Sequence, residues 1–183
     1  STSRRQRQMC IRDRGVKYTY GGEGAVLKGT FTDVSGNTRE VISEWKLRRV
    51  EETHGDFMEY VYEAADEDVR GGLKAKALYL KEVRAGNAGQ EPHTVVTFEG
   101  GKTRQVKTNN ARYGYLTSSN RLLEKVTVNS RGNVLRSYAF EYRNGAFNRE
   151  LLAGVRHLDS NGQEVSFQKF SYYDDVQSDK GYV

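Results

Sequence analysis

A fourfold internal repeat constrains the fold of this sequence more than any other feature. The pattern Leu-x-x-Val occurs four times, at residues 47–50, 80–83, 123–126 and 152–155. A glycine follows each copy within a few residues: Gly55, Gly89, Gly132 and Gly162. A segment with aromatic residues comes next, so each unit has the pattern of a strand, a turn and a returning strand. Because one hairpin is marginally stable alone, four in series predict hairpins that stack on their neighbours.

The alternation of side chains within these units predicts an all-β fold. At 58–62 (MEYVY) and 138–142 (YAFEY), large apolar residues recur at every second position, as on a half-buried pleated surface. Asn161-Gly162 is the strongest hairpin-turn signal in the chain. We therefore predict an extended antiparallel sheet built from consecutive hairpins. The acidic stretch 63–69 (EAADEDV) is the one helix-like segment, and a single turn or a loop fits it equally well.

The positive charge is concentrated at the start of the chain. The 183 residues have a formal net charge of +5, and residues 1–14 (STSRRQRQMCIRDR) contain five arginines against one aspartate. The rest of the chain is therefore nearly neutral, which leaves no electrostatic case for a nucleic-acid partner of that part. The tail resembles a peptide translated by mistake from sequencing-adapter DNA. The alternative is a genuine basic arm that binds nucleic acid or anionic lipid.

The pattern divides the chain into three segments. We expect a non-native or disordered basic tail at 1–14, a β-hairpin region at 15–175, and a truncated polar stub at 176–183. Deletion of residues 1–14 is expected to leave folding and stability unchanged. The single cysteine, Cys10, excludes an intramolecular disulfide and any multi-cysteine metal site. No apolar run approaches the ~18 residues of a membrane-spanning helix.

The residues that could carry chemistry do not form a recognisable site. His54, His93 and His157 lack the spacing of metal ligands, and Asp174-Asp175 lacks the spaced acidic ladder of a calcium loop. The nucleophile elbow Gly-x-Ser-x-Gly does not occur in the sequence. We therefore predict that the chain is not an enzyme and has no catalytic, cofactor-binding or metal-binding residues.

Three further features fit structural roles better than binding roles. The loop at 21–24 (GGEG) lacks the Lys-Ser/Thr of a phosphate loop, so a flexible hairpin end is the better interpretation. Trp45 fits a core anchor better than a platform for sugar stacking. A loose basic stretch near two tyrosines could hold single-stranded nucleic acid, but a solvated strand and loop fits it better. That stretch comprises Lys102, Arg104, Lys107 and Arg112, beside Tyr113 and Tyr115.

The ordered motifs resemble a known family. Residues 42–62 are similar to the segment I-x-x-W-x-L-x-x-I-x-D-x-x-G-N-x-I-x-Y-x-Y of the plasmid virulence protein B (SpvB) family and the B components of Tc insecticidal toxin complexes. Further matches follow in the family's order, at 78–83, 121–128, 135–142 and from 151 to 172. The turn at 53–56 (THGD) departs from the family's Arg-Asn-Gly-Asn, which bears on the subfamily more than on the fold. The related Rhs proteins share the hairpin pattern, but their Tyr-Asp-x-x-Gly signature is not clear here.

The resemblance implies a structural role. It implies part of a larger β-sheet shell in a secreted bacterial toxin, which encloses or docks a toxic C-terminal payload. The implied partners are the rest of the toxin chain and other toxin-complex components. The family's ADP-ribosyltransferase activity is not implied, because Ser1-Thr2-Ser3 lies in the tail and no Glu-x-Glu pair occurs. The alternatives are a carbohydrate-binding β module that uses exposed aromatics, and nucleic-acid binding by the arginines of the tail.

Overall fold

The computed structural model describes the backbone of residues 6–10 and of residue 70, and the whole of residues 15–69 and 71–172. It confirms the predicted all-β fold, because these residues form fourteen strands and two single-turn 3-10 segments. The strands are β1 Gln6–Cys10, β2 Lys17–Gly21, β3 Val26–Thr32, β4 Thr38–Trp45, β5 Leu47–Glu51, β6 Phe57–Asp68, β7 Lys74–Gly86, β8 Thr94–Glu99, β9 Asn109–Asn110, β10 Thr117–Ser118, β11 Lys125–Ser130, β12 Asn133–Asn144, β13 Glu150–Leu158 and β14 Glu164–Lys169.

The first of two compact units contains the described residues up to 96, together with 108–119. Its sheet has the order β1-β2-β5-β6-β7, with antiparallel neighbours, and β8 begins in this unit. Strand β10 pairs in parallel with β7 and antiparallel with β9. The hairpin β3-β4 forms a separate two-stranded sheet. The buried residues of this unit include the small side chains Ala25, Ala75 and Ala77, which allow the strands of its two sheets to approach closely.

The second unit contains residues 97–107 and the described residues from 120 onward. Strands β11, β12, β13 and β14 lie side by side in chain order, and each pairs antiparallel with the next. Among its described residues the largest buried apolar side chain is that of Leu122, and the polar residues Asn120 and Ser137 are buried as well. Consecutive hairpins are therefore spatial neighbours in this unit, as the repeat predicts.

Each repeat unit of the sequence corresponds to a pair of strands with a turn between them. The Leu-x-x-Val copies lie in or at the start of β5, β7, β11 and β13, and the returning strands are β6, β8, β12 and β14. The four repeat glycines all adopt the left-handed conformation, with φ values of 87°, 67°, 83° and 81° at Gly55, Gly89, Gly132 and Gly162. Glycine recurs at these positions because other residues adopt positive φ only with strain.

The shortest of these turns connects β11 and β12. Ser130 pairs with Asn133, so Arg131 and Gly132 are its two central residues, and their φ values are 50° and 83°. Two consecutive positive φ angles define the type I′ turn, whose twist matches that of the flanking strands. Asparagine is favoured over arginine at the first central position because its short side chain tolerates the left-handed region.

This turn yields a paired prediction. Gly132→Ala is expected to lower the free energy of unfolding by about 1 kcal/mol, because the added Cβ is strained at positive φ although nothing lies within 4 Å of it. Arg131→Asn is expected to raise it by a few tenths of a kcal/mol, about 0.3, since asparagine suits the same turn. Urea unfolding followed by circular dichroism measures both. Equal effects of the two substitutions would contradict the type I′ assignment.

The acidic stretch 63–69 is a strand rather than a helix, which corrects the sequence interpretation. All of it but Val69 lies in β6, which continues without interruption to Asp68. The acidic side chains are matched by lysines of β7: Asp66 pairs with Lys76 at 2.7 Å and Asp68 with Lys74 at 2.5 Å. Aspartate ranks low in β propensity, but a lysine on the adjacent strand stabilises it in the sheet. The sequence of the stretch 63–69 alone does not reveal these lysines.

Strand β1 was not expected from the pattern of the tail. Gln6–Cys10 pairs antiparallel with β2 over five residues, with Gln8 opposite Thr19. Backbone pairing of this kind requires no alternation of side chains. The foreign origin of residues 1–14 and the three segment boundaries stay predictions. So does the prediction that deletion of residues 1–14 is tolerated. Without β1, strand β2 would still pair with β5 on its other side. Asp174, Asp175 and the stub 176–183 lie outside the described residues.

Candidate functional site

Three of the four Leu-x-x-Val copies contain a β-bulge at the residue after the leucine. The bulged residues are Arg48, Lys81 and Ala153, which are the extra residues in the pairing of β5 with β2, of β7 with β6 and of β13 with β12. In every case a tyrosine of that paired strand lies directly opposite the leucine. The pairs are Tyr20 with Leu47, Tyr62 with Leu80, and Tyr142 with Leu152. The motif therefore encodes a bulge, which bends the strand and increases its twist.

Three tyrosine hydroxyls form a second recurrent contact. Tyr62 donates a hydrogen bond to the carbonyl of Leu47 at 2.7 Å, and Tyr142 donates one to the carbonyl of Leu123 at the same distance. Tyr172 donates to the carbonyl of Leu152 at 2.9 Å. Each acceptor is the leucine that begins the same repeat unit. In the remaining unit the aromatic residue is Phe98, which has no hydroxyl to donate.

We call these contacts the Tyr–Leu seam: the hydroxyl bonds of Tyr62, Tyr142 and Tyr172, and the opposed pairs at the bulges. Tyr62 and Tyr142 take part in both contacts, so each connects its own hairpin to the next. A net contribution of about 1 kcal/mol for each hydrogen bond is modest. The geometric effect is larger, because a register slip of one residue would separate a tyrosine from both leucines. The seam therefore specifies how consecutive hairpins align.

Burial raises the pKa of the two seam tyrosines that lie within the sheets. For Tyr62 the first cause is desolvation, and the charge of Tyr60 adds to it. For Tyr142 desolvation again comes first, Arg104 opposes it, and Glu124 adds to it. Both shifts favour the neutral phenol, which is the form that can donate to a leucine carbonyl. A pKa raised above the ordinary value keeps each phenol protonated near neutrality, which does not suit a general base there.

The shifts predict the pH dependence of stability. A tyrosine whose pKa is higher in the folded state than the ordinary value of 10.0 contributes stability below about pH 10, and that contribution is lost as pH rises through the raised pKa. As the pH rises from about 9 to about 11, a range centred on the ordinary pKa of tyrosine, the double variant Tyr62→Phe/Tyr142→Phe is therefore expected to lose less stability than the wild type. Urea titrations across this range measure it. Parallel curves for both proteins would contradict the assignment.

Two arginines make a similar cross-strand contact, one in each unit. Arg49 of β5 donates to Glu51 at 3.0 Å and to Glu59 at 2.5 Å, and its guanidinium lies 4.2 Å from the ring centre of Phe57. Two of its nitrogens are thus bound to carboxylates, and its guanidinium plane contacts the ring.

In the second unit, Arg156 of β13 plays the corresponding part. It pairs with Glu141 at 2.5 Å and with Glu164, and its guanidinium lies 4.5 Å from the ring centre of Phe167. The sequence analysis did not single out either arginine. In both units the cation therefore joins adjacent strands.

The three histidines do not come together. His54 lies in the turn between β5 and β6, His93 precedes β8, and the ring of His157 stacks on Tyr138 with centroids 5.0 Å apart. Within residues 15–172, no group of three or more His, Cys, Asp or Glu side chains could hold a metal ion. The prediction that the chain has no metal-binding or catalytic residues stays a prediction.

The glycine loop borders a cavity in the first unit. Gly21, Gly22 and Gly24 adopt positive φ, and a cavity of about 400 Å³ beside them is lined by Glu23, Gly24, Arg48, Arg49, Glu59, Tyr60, Val61 and Tyr62. The carboxylates of Glu23 and Glu59 would repel a phosphate there, and Arg49 is already bound to Glu59. The geometry therefore agrees with a hairpin end rather than a phosphate loop.

The basic stretch is divided between the two units. Lys102 and Arg104 belong to the second, whereas Arg112 and the two tyrosines belong to the first. Tyr115 is not free for base stacking, because its hydroxyl donates to Ser43 Oγ at 2.5 Å and its ring packs against Gly29. Trp45 ends β4 opposite Val26 and is about one third exposed. Ser1-Thr2-Ser3 lies outside the described residues.

Solved structures of other proteins share this fold. The N-terminal domain of the effector protein SpvB from Salmonella typhimurium strain LT2 matches with a TM-score of 0.61 and 15% identity, over 80% of this chain and 59% of that one. A TcdB2-TccC3-TEV structure matches with a TM-score of 0.65 and 15% identity, over 90% of this chain. The chain shares the fold of these proteins.

A third match extends the same relation to an assembled toxin. The Photorhabdus luminescens Tc holotoxin pore matches with a TM-score of 0.60 and 14% identity, over 86% of this chain. The chain spans 59% of the SpvB domain and 10% of each of the two toxin chains. No protein-family profile and no curated protein matches the sequence. Among the described residues, no helix is long and apolar enough to cross a membrane. The likeness thus supports a distant SpvB- and Tc-like relation in fold.

Proposed function

We propose that this chain is a non-catalytic structural part of a secreted SpvB- and Tc-like bacterial toxin, where it forms part of a β-sheet shell that encloses or docks a toxic C-terminal payload. The observation that carries the proposal is the match, at TM-scores of 0.60 to 0.65, to SpvB and to Tc toxin components. The partners are the remainder of the toxin chain and the other components of the complex.

The use of the reactive side chains supports a structural role. The hydroxyls of Tyr62 and Tyr142, one in each unit, have a raised pKa and donate to backbone carbonyls. The guanidinium groups of Arg49 and Arg156 bind carboxylates of neighbouring strands. Groups that could serve as acids, bases or anion ligands therefore join strand to strand. An extended sheet held in this way suits a wall, whose function is to keep its shape.

Protease protection of the payload tests the proposal. The polypeptide of the whole reading frame that contains residues 15–172 is digested in increasing urea, and the C-terminal segment is followed by mass spectrometry. We expect it to resist cleavage until the wall unfolds. Leu122→Ala is expected to move that point to lower urea, and the exposed Leu135→Ala serves as the matched control. Cleavage of the C-terminal segment at the same rate with the wall folded and unfolded would contradict enclosure.

A further inference from the structure

Strand β14 is an edge strand with little protection. All six of its residues are exposed, including Val165 at 60% and Phe167 at 39%. Within the described residues β14 pairs only with β13, so its other side carries unpaired backbone groups. Natural edge strands are commonly shielded by proline, bulges or charges that point inward. The one bulge in β14 is at Val165, near its start, and from Ser166 to Lys169 the pairing with β13 is regular. The sequence of β14, EVSFQK, has charges only at its two ends and contains no proline.

The repeat indicates which kind of strand pairs with the corresponding edges elsewhere in this chain. After β2, β6 and β12, the neighbouring strand places its Leu-x-x-Val leucine opposite a tyrosine and bulges at the next residue. Tyr172 comes two residues after Phe170, as Tyr142 comes two residues after Phe140 in β12. Its hydroxyl already makes the seam hydrogen bond to the carbonyl of Leu152. Tyr172 is nonetheless 42% exposed and has no opposed leucine among the described residues.

We propose that the free edge of β14, with Tyr172, is a docking surface for the first strand of a further Leu-x-x-Val hairpin. That strand runs antiparallel to β14, places its leucine opposite Tyr172 and bulges at the following residue. Residues 173–183 contain no leucine, so they do not supply this strand. The proposal rests on the repeat geometry within this chain and not on payload enclosure, so either can fail without the other.

The backbone specifies which amides the docked strand would cover. The N–H of Phe170 donates to the carbonyl of Ala153, toward β13, just as the N–H of Phe140 donates to the carbonyl of Glu124. Because N–H groups alternate in direction along a strand, those of Lys169 and Phe167 point away from β13. These two amides exchange with solvent at an open edge and become protected when a strand pairs with it.

Insertion of an extra hairpin tests the proposal in the full chain. A second copy of residues 143–172 is inserted between Tyr172 and Tyr173, so that the natural linker 143–151 precedes the added leucine. Hydrogen exchange at Phe167 and Lys169 is expected to slow by about tenfold or more, in a protein that remains monomeric. The matched control carries Leu152→Asp and Val155→Asp in the added copy only, and is expected to leave exchange unchanged.

A second variant keeps the test decisive. Lys169→Pro removes an N–H that points away from β13, so it is expected to leave the Tm of the natural chain unchanged but to abolish protection of Phe167 in the inserted protein. Unchanged exchange at Phe167 and Lys169 in the inserted protein would overturn the proposal. Equal protection by the aspartate control would overturn it too, since the leucine would then be irrelevant. Concentration-dependent dimers of the natural chain with a protected β14 would assign the edge to a second copy instead.

Discussion

Tyr115→Ala is expected to lower the free energy of unfolding by about 3 kcal/mol, the largest effect of any single substitution discussed for the first unit. The ring of Tyr115 fills the space above Gly29 in β3, where a Cβ would collide with it. Its hydroxyl donates to Ser43 Oγ at 2.5 Å and lies 3.3 Å from the carbonyl of Leu27. The substitution therefore opens a cavity and leaves the buried Ser43 without this partner.

Two further variants separate the contributions of the ring and the hydroxyl. Tyr115→Phe is expected to cost about 1 kcal/mol, because only the hydrogen bond is lost. The matched control is Tyr113→Ala in the same segment, where the side chain is exposed and the cost is expected to stay below about 0.5 kcal/mol. Urea unfolding monitored by tyrosine fluorescence measures all three. If Tyr115→Ala and Tyr113→Ala were equally mild, segment 108–119 would not hold the hairpin β3-β4 in place.

Leu122→Ala is expected to cost about 2–4 kcal/mol in the second unit. Leu122 is 3% exposed, and no other large apolar side chain among the described residues of this unit is buried to that degree. Its N–H donates to the carbonyl of Lys102 at 2.8 Å, which fixes the loop 100–107 against the start of β11. Loss of the side chain leaves a cavity that a single layer of strands has few neighbouring side chains to fill.

The matched control for this variant lies in the same unit. Leu135→Ala removes the same atoms from a side chain that is 53% exposed, so we expect a cost below about 1 kcal/mol. Thermal unfolding of both variants gives the comparison. Similar Tm values for the two would show that the second unit derives its stability from backbone pairing and not from Leu122.

Much of the fold could be predicted from the repeat. The glycines at 55, 89, 132 and 162 and the alternating aromatics require hairpins, and the structure forms a hairpin or an adjacent strand pair at each. The strand at 63–68 could not be predicted locally, because its acidic residues are stabilised by Lys74 and Lys76 of the next strand. Strand β1 could not be predicted either, because it pairs with β2 through the backbone and its side chains show no strand pattern.

The seam was only partly visible in the sequence. The Leu-x-x-Val spacing marks the bulges, but a bulge is a relation between two strands, and its position depends on a register that one strand does not contain. The hydroxyl bonds of Tyr62, Tyr142 and Tyr172 join residues 15 to 20 apart. A search for tyrosines at that distance after each leucine would have found all three. The cross-strand contacts of the arginines, Arg49 with Glu59 and Arg156 with Glu141 and Glu164, depend on the strand pairing of the folded chain.

Electron cryo-microscopy of the polypeptide encoded by the whole reading frame tests the proposed role most directly. We predict that residues 15–172 form part of a continuous β-sheet wall around a chamber, with a further strand paired along β14 and a leucine opposite Tyr172. A map in which these residues form a separate module outside any enclosing wall, with the edge of β14 open to solvent, would contradict the account.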